Sequence, residues 1–159
     1  MNAKFENAGL SHQDRTILSL LEKEGRMAFA DIAEQAGMSK TPCWNRVRAW
    51  ERDGVITGYH ASVDAERIGL GVRALVHVTV RFEQYEAFER AVIDHPAVYG
   101  CFATTGDSDY MLDVYATDIA ALDTLLRANL SNLPGVERFS TSLATRVVKP
   151  RASVVAALG

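Results

Sequence analysis

Ser39-Lys40-Thr41-Pro42-Cys43-Trp44-Asn45-Arg46-Val47-Arg48-Ala49-Trp50 (SKTPCWNRVRAW) decides how the first part of the chain folds. A proline in an otherwise helical, basic run marks either a break or a helix start. Ser39 is a good N-cap, and Pro42 then falls in the first turn, where its missing N–H has no intrahelical partner to lose. The stretch therefore reads as a helix starting at Ser39. Cys43, Val47 and Trp50 recur at i, i+4 and i+7 and share one stripe, which suits a core. Thr41, Trp44, Asn45 and Arg48 fall on a different, mostly polar face, which is free to meet a partner.

Two further helices precede it. In Ser11–Glu24 the residues Ile17, Leu18, Leu20 and Leu21 cluster at helical spacing, and Ser11 followed by Asp14 resembles a capping box with a shorter acid. Phe29 to Ala36 carries Ile32, Ala33 and Ala36 on one side and stops at Gly37, a residue suited to the left-handed conformation that closes a helix. Three short helices with a tight break before a basic third one describe a helix-turn-helix, whose last helix enters the DNA major groove. A small helical bundle with a solvated charged face is the plainer alternative.

After Asp53-Gly54 the chain alternates and turns (VITGYHASVD), and the period changes. Val72, Ala74, Val76, Val78, Val80 and Phe82 alternate with Arg73, Leu75, His77, Thr79 and Arg81, which predicts a long half-buried strand. Tyr85, Phe88 and Val92 mark a helix ending before His95-Pro96. Strands follow over about Val98–Thr105 and Tyr110–Ala116, separated by the turn-forming Gly106-Asp107-Ser108-Asp109. Ile119, Leu122, Leu125, Leu126 and Leu133 stripe another helix, Pro134-Gly135 ends it, and Val136–Val148 reads as a last strand. The order βαββαβ is the ferredoxin-like arrangement. The fold class is thus α+β: a helix-turn-helix (winged-helix-like) domain at 1–61, a linker at 62–71 and a ferredoxin-like domain at 72–159.

At 159 residues, 48% hydrophobic and 23% charged, the chain has the composition of a soluble globular protein. No apolar run approaches the roughly 20 residues of a membrane helix, and MNAKFENAGL lacks a signal core, so a cytoplasmic location is expected. Cys43 and Cys101 are too few and too isolated for a disulfide framework or a zinc site, and the four histidines are scattered without ligand spacing. No metal or cofactor is expected. The net charge of −3 is unevenly distributed: residues 1–60 carry eight basic and eight acidic residues, and residues 61–159 carry nine and twelve. Within Ser39–Asp53, Lys40, Arg46, Arg48 and Arg52 outnumber Glu51 and Asp53, so a locally basic helix lies in an otherwise acidic protein.

GMSKTPCWNRVRAWERDGVITGY resembles the recognition helix and following turn of the Lrp/AsnC family of transcription regulators, in which T-P-C-x-x-R-V and E-x-x-G-x-I-x-G-Y recur. The second half resembles that family's effector-binding and oligomerisation domain, with Gly106-Asp107-Ser108-Asp109-Tyr110 at its Gly-Asp-x-Asp-Tyr motif and Leu133-Pro134-Gly135-Val136 beyond it. The likeness runs from about Asp14 to Lys149. Ala28-Phe29-Ala30 departs from the Ser or Asn that commonly caps the second helix there, a weakening of roughly 1 kcal/mol if nothing else caps it. Trp44 and Trp50 stand where an aliphatic residue is usual.

Residue chemistry sets the site expectations. Ser39, Lys40, Thr41 and the amides near the helix start suit phosphate, and Asn45 and Arg48 suit base edges or phosphate. Trp44 can offer apolar contact to a thymine methyl. Arg48 is the first choice for readout, Arg52 adds charge, and Arg46 either meets DNA or pairs with Glu51 or Asp53. An amino-acid effector needs donors for its carboxylate and acceptors for its ammonium. Thr104, Thr105, Gly106 and Asp107 can present amides and hydroxyls, and Asp107 or Asp109 can receive the ammonium. Tyr110 completes the motif, and Thr141 and Ser142 on the last strand are secondary candidates from a neighbouring subunit. The alternative is that Gly-Asp-Ser-Asp only closes a hairpin. The resemblance implies double-stranded DNA and a small amino acid as partners, and homo-oligomers that are dimers joined through their sheets, tetramers or octamers. It implies no enzyme. Two rivals stand beside it: a heme-synthesis decarboxylase, because such proteins share the architecture, and a sensing or assembly module that binds no DNA.

Overall fold

In the computed structural model, residues 9–149 and 152–158 are described, so most of the N-terminal stretch read above for a signal core lies outside the described residues. Two compact units divide the chain, Met1–Ser62 with Lys149–Gly159, and Val63–Val148. Among the described residues no helix is long and apolar enough to cross a membrane.

The first unit holds α1 (His12–Lys23), α2 (Phe29–Gln35) and α3 (Lys40–Arg52). The capping box at α1 forms: the Asp14 amide donates to Ser11 Oγ at 3.2 Å, and the Ser11 amide donates to Asp14 Oδ2 at 3.0 Å. At α2 the Ala28 N-cap offers no side-chain bond, as its residue type dictates. Gly37, at φ +65°, ends that helix in the left-handed region. Ser39 occupies the N-cap position of α3 in an extended conformation, yet its hydroxyl makes no capping bond, contrary to expectation. Pro42 is the reason: it falls at the third helical position, where the usual partner N–H would be.

Ile17, Leu18, Ile32, Ala33, Ala36, Cys43, Val47 and Trp50 form one buried core, as the helical stripes require. Beyond α3 the chain folds back, with the Val55 and Ile56 amides donating to the Trp50 carbonyl at 2.9 and 3.1 Å. Residues 55–61 carry no strand, so the wing is an irregular turn. The C-terminal segment differs from the expected 72–159 grouping. The Val154 amide donates to Glu22 Oε1 at 3.0 Å, Ser153 bonds the same carboxylate, and Val155 packs on the helical core.

In the second unit β1 (Val72–Val80), α4 (Tyr85–Ile93), β2 (Val98–Ala103), β3 (Tyr110–Ala116), α5 (Ile119–Thr124) and β4 (Val136–Leu143) follow the βαββαβ order. The sheet order is β2-β3-β1-β4 and every pairing is antiparallel. Ala74, Val76, Val78 and Val80 of β1 join Leu112 and Val114 of β3 under Phe88, Val92, Leu122, Leu125 and Leu130. That leaves Arg73, Leu75, His77 and Thr79 on the other face, as alternation demands.

Several boundaries move. The first strand stops at Val80, and Phe82 begins a 3-10 turn with its ring exposed. The second helix is α-helical only to Thr124 and continues as a π turn (Leu125–Asn129) and a 3-10 turn (Leu130–Asn132). The last strand ends at Leu143 instead of Val148. Leu143 lies opposite Ala74 and the Ala144 amide still reaches the Arg73 carbonyl at 2.9 Å, one residue from the start of β1 at Val72.

Candidate functional site

The outward face of α3 is built by its inward one. Cys43 and Val47 are fully buried and Trp50 is 7% exposed, which fixes the rotation of the helix and turns Trp44 outward at 42% exposure. Ser39, Lys40, Thr41, Trp44, Asn45, Arg48 and Arg52 are all exposed along the same helix. Lys40 has no acidic partner among the described residues, whereas the three arginines are each engaged. Arg46 does not pair with Glu51 or Asp53; its Nη1 donates to Asp14 Oδ1 of α1 at 2.7 Å. Arg52 pairs with its neighbour Asp53 at 2.8 Å. Arg48 donates to Glu51 Oε2 at 3.0 Å and its guanidinium stacks 5.3 Å from the Trp44 ring centroid. Of the basic side chains on this face, Arg48 is thus held at the surface by α3 itself.

In the second unit the 104–109 turn joins β2 to β3. Gly106 takes φ +125°, which the turn requires and other residues rarely adopt. The hairpin-closing bonds consume several of the expected ligand groups. The Thr104 amide donates to the Asp109 carbonyl at 2.8 Å, and Thr104 Oγ1 donates to the Ser108 carbonyl at 2.7 Å. Both Asp109 carboxylate oxygens are taken, by the Val80 amide at 2.9 Å and the Tyr85 hydroxyl at 2.7 Å. The Val80 amide first and the Tyr85 hydroxyl second hold the Asp109 carboxyl below its usual range. Tyr110 is buried and donates to Glu89 at 2.8 Å, with burial foremost among the causes that push its phenol up.

Asp107 is different. Its side chain is exposed and lines a cavity of about 350 Å³ together with His77, Thr79, Ser108, Arg138 and Ser140. Arg138 is anchored there, donating from Nε to Thr79 Oγ1 at 3.1 Å and from Nη2 to the Asp107 carbonyl at 3.2 Å. An exposed carboxylate and an anchored guanidinium therefore line one small polar cavity, the two charges needed to meet a zwitterion. Sequence reasoning missed His77, Thr79, Arg138 and Ser140 as lining residues. The strand register that brings them together, Thr79 opposite Arg138 and His77 opposite Ser140, was not legible before the β1–β4 pairing was known. Thr105 and Gly106 stay on the exposed turn, while Ser142 shares the His77 face and Thr141 points to the opposite one, opposite Val76; none of the four lines the cavity.

A second cleft, of about 400 Å³, opens between α4 and β2. It is lined mainly by apolar residues such as Val92, Ile93 and Val98, and its one charged lining residue, Glu89, already accepts the Tyr110 hydroxyl. It offers no cation for a carboxylate. Among the described residues no group of His, Cys, Asp or Glu is arranged to hold a metal ion.

Comparison with known proteins places both units. Residues 10–57 match the model of a winged helix-turn-helix DNA-binding domain, and residues 73–154 match that of the Lrp/AsnC ligand binding domain. The chain is 37% identical over 149 residues to the Bkd operon transcriptional regulator of Pseudomonas aeruginosa, covering 92% of this chain and 97% of that one. It is 34% identical over 143 residues to the leucine-responsive regulatory protein of Escherichia coli, covering 88% and 87%. Among solved structures, a transcriptional regulator of Neisseria meningitidis in complex with L-Met superposes with a TM-score of 0.87 at 30% identity, covering 91% of this chain and 96% of the other.

Proposed function

The chain belongs to the Lrp/AsnC family of transcription regulators, and from that membership we propose that α3 reads DNA through Arg48 while the Asp107–Arg138 cavity receives an amino acid. The observation that carries the DNA half is the division of α3 into a buried Cys43, Val47 and Trp50 stripe and an exposed polar face. Lys40, Thr41 and Asn45 contact phosphate or base edges beside Arg48, and Trp44 meets a thymine methyl. Arg46 serves the helical core through Asp14.

In the ligand half, Arg138 binds the carboxylate and Asp107 the ammonium, with His77, Thr79 and Ser140 completing the polar wall. The L-Met complex of the Neisseria regulator supports the ligand class. A second copy of the chain packs on the outer sheet face of Leu75, His77 and Met111, and further pairing yields larger homo-oligomers. Ligand binding near that face changes the spacing of paired recognition helices and hence the DNA they span.

A thermal-shift panel of the common amino acids, on the wild-type chain and on the Asp107→Ala and Arg138→Ala variants, tests the ligand half. One or more amino acids should raise the wild-type melting temperature and leave both variants unmoved; a shift retained in both variants contradicts the assignment.

A further inference from the structure

Arg48, the reading residue of the function proposed above, is held by more than its own helix. Its Nη1 donates to Glu51 Oε2 at 3.0 Å, and Glu51 Oε1 in turn accepts the Tyr59 hydroxyl at 3.0 Å. Tyr59 lies on the turn beyond α3, outside the recognition helix. Its ring rests against Gly25, where an added Cβ would stand 3.0 Å from the ring Cδ1. The contacts therefore run from the turn after α1, through a phenol and a carboxylate, to the guanidinium. The Trp44 ring, 5.3 Å from the Arg48 Cζ, supports it on a further side.

The physical consequence is preorganisation. A free arginine at 61% side-chain exposure samples many rotamers and gives up that freedom when it docks on a base edge. Here one Nη1 N–H is committed to Glu51, and the remaining donors of the fork stay available. Glu51 is itself prevented from swinging, because its second oxygen is held by Tyr59. Burial and then Glu51 push the Tyr59 phenol up to about 12, so it remains a protonated donor at any pH at which the protein works. A carboxylate facing DNA repels phosphate, so the placement of Glu51 favours a base edge over the backbone as the target of Arg48.

We propose that Glu51 and Tyr59 are positioning residues for base reading, fixing the Arg48 guanidinium for a hydrogen-bonded contact with a base edge in the major groove, guanine O6 and N7 being the matching pair. They touch the reader and not the base. Their effect is therefore on the discrimination between sequences, and it exists only while Arg48 is present.

The test is a double-mutant cycle on the full chain. Wild type, Tyr59→Phe, Arg48→Ala and the double variant are titrated at fixed salt against a duplex that the wild type selects from a randomised pool, and against a scrambled duplex. Tyr59→Phe is expected to lower the ratio of selected to scrambled affinity by roughly 3- to 10-fold, and to lower it no further in the Arg48→Ala background. Glu51→Gln, which puts an NH2 donor where one of the two accepting oxygens stands, should behave in the same way and serves if Tyr59→Phe melts early. The inference is overturned if Tyr59→Phe and Glu51→Gln leave the ratio unchanged, or if their losses persist in full without Arg48. An unchanged ratio in Arg48→Ala alone overturns the reading role of Arg48 itself, and with it this inference, a result distinguishable from the other two.

Discussion

Arg46 of α3 donates to Asp14 of α1 at 2.7 Å, and the same Asp14 carboxylate closes the capping box with Ser11. One acid therefore both starts α1 and ties it to the recognition helix. Arg46→Ala should lower stability by about 1 kcal/mol, since its side chain is 39% exposed. Asp14→Ala also loses the capping box and should cost about 1–2 kcal/mol more than Arg46→Ala. Chemical denaturation of both variants checks the order; an Arg46→Ala protein less stable than Asp14→Ala contradicts the shared role.

The two tryptophans of α3 separate stability from binding. Trp50→Ala should destabilise the helical unit by about 3–5 kcal/mol, because it empties a core site walled by Cys43 and Val47. Trp44→Ala should cost less than about 1 kcal/mol, as an exposed substitution, and act mainly on DNA affinity. Equal losses of stability in urea titrations would show the face assignment of α3 to be wrong.

Much of this was legible because burial leaves a period in the sequence. The Cys43, Val47, Trp50 stripe and the Val72–Val80 alternation located the core of each unit, and the two motifs that resemble the family arose at the recognition helix and the 106–110 turn. What was not legible depends on partners distant in sequence. Nothing local to Arg46 indicates Asp14, 32 residues away. Nothing local to Asp109 indicates that the Val80 amide and the Tyr85 hydroxyl occupy it. The polar cavity beside Asp107 escaped for the same reason, since Thr79 and Arg138 meet only through the β1–β4 register.

Asp109 gives a pH signature. Its carboxyl is held below the usual value of about 3.9, so the stabilisation is complete above that value and is lost as pH falls through the lower folded value. Acid titration of stability should therefore be shallower below about pH 4 in Asp109→Asn than in wild type, from a lower starting stability. Parallel acid profiles for the two proteins would argue that Asp109 contributes no such linkage.

The outer sheet face predicts assembly. Leu75→Glu places a charge on the face that carries His77 opposite Met111, beside Asp113, the β3 partner of residue 75. Light scattering after size exclusion should report an oligomer for wild type and a smaller species for the variant, with the thermal unfolding of each protomer retained. An unchanged mass for Leu75→Glu would exclude this face as the contact.

The central claim is that an exposed α3 face reads DNA through Arg48, and one titration tests it most directly. Wild type and Arg48→Ala are measured by fluorescence anisotropy against DNA from the region upstream of the protein's own gene, over a series of salt concentrations. The logarithm of the wild-type association constant should fall linearly with the logarithm of salt, and Arg48→Ala should bind the specific duplex more weakly by roughly 1–3 kcal/mol at fixed salt. Equal affinity of the two proteins for that duplex, or wild-type binding no tighter than to scrambled DNA, would contradict the account.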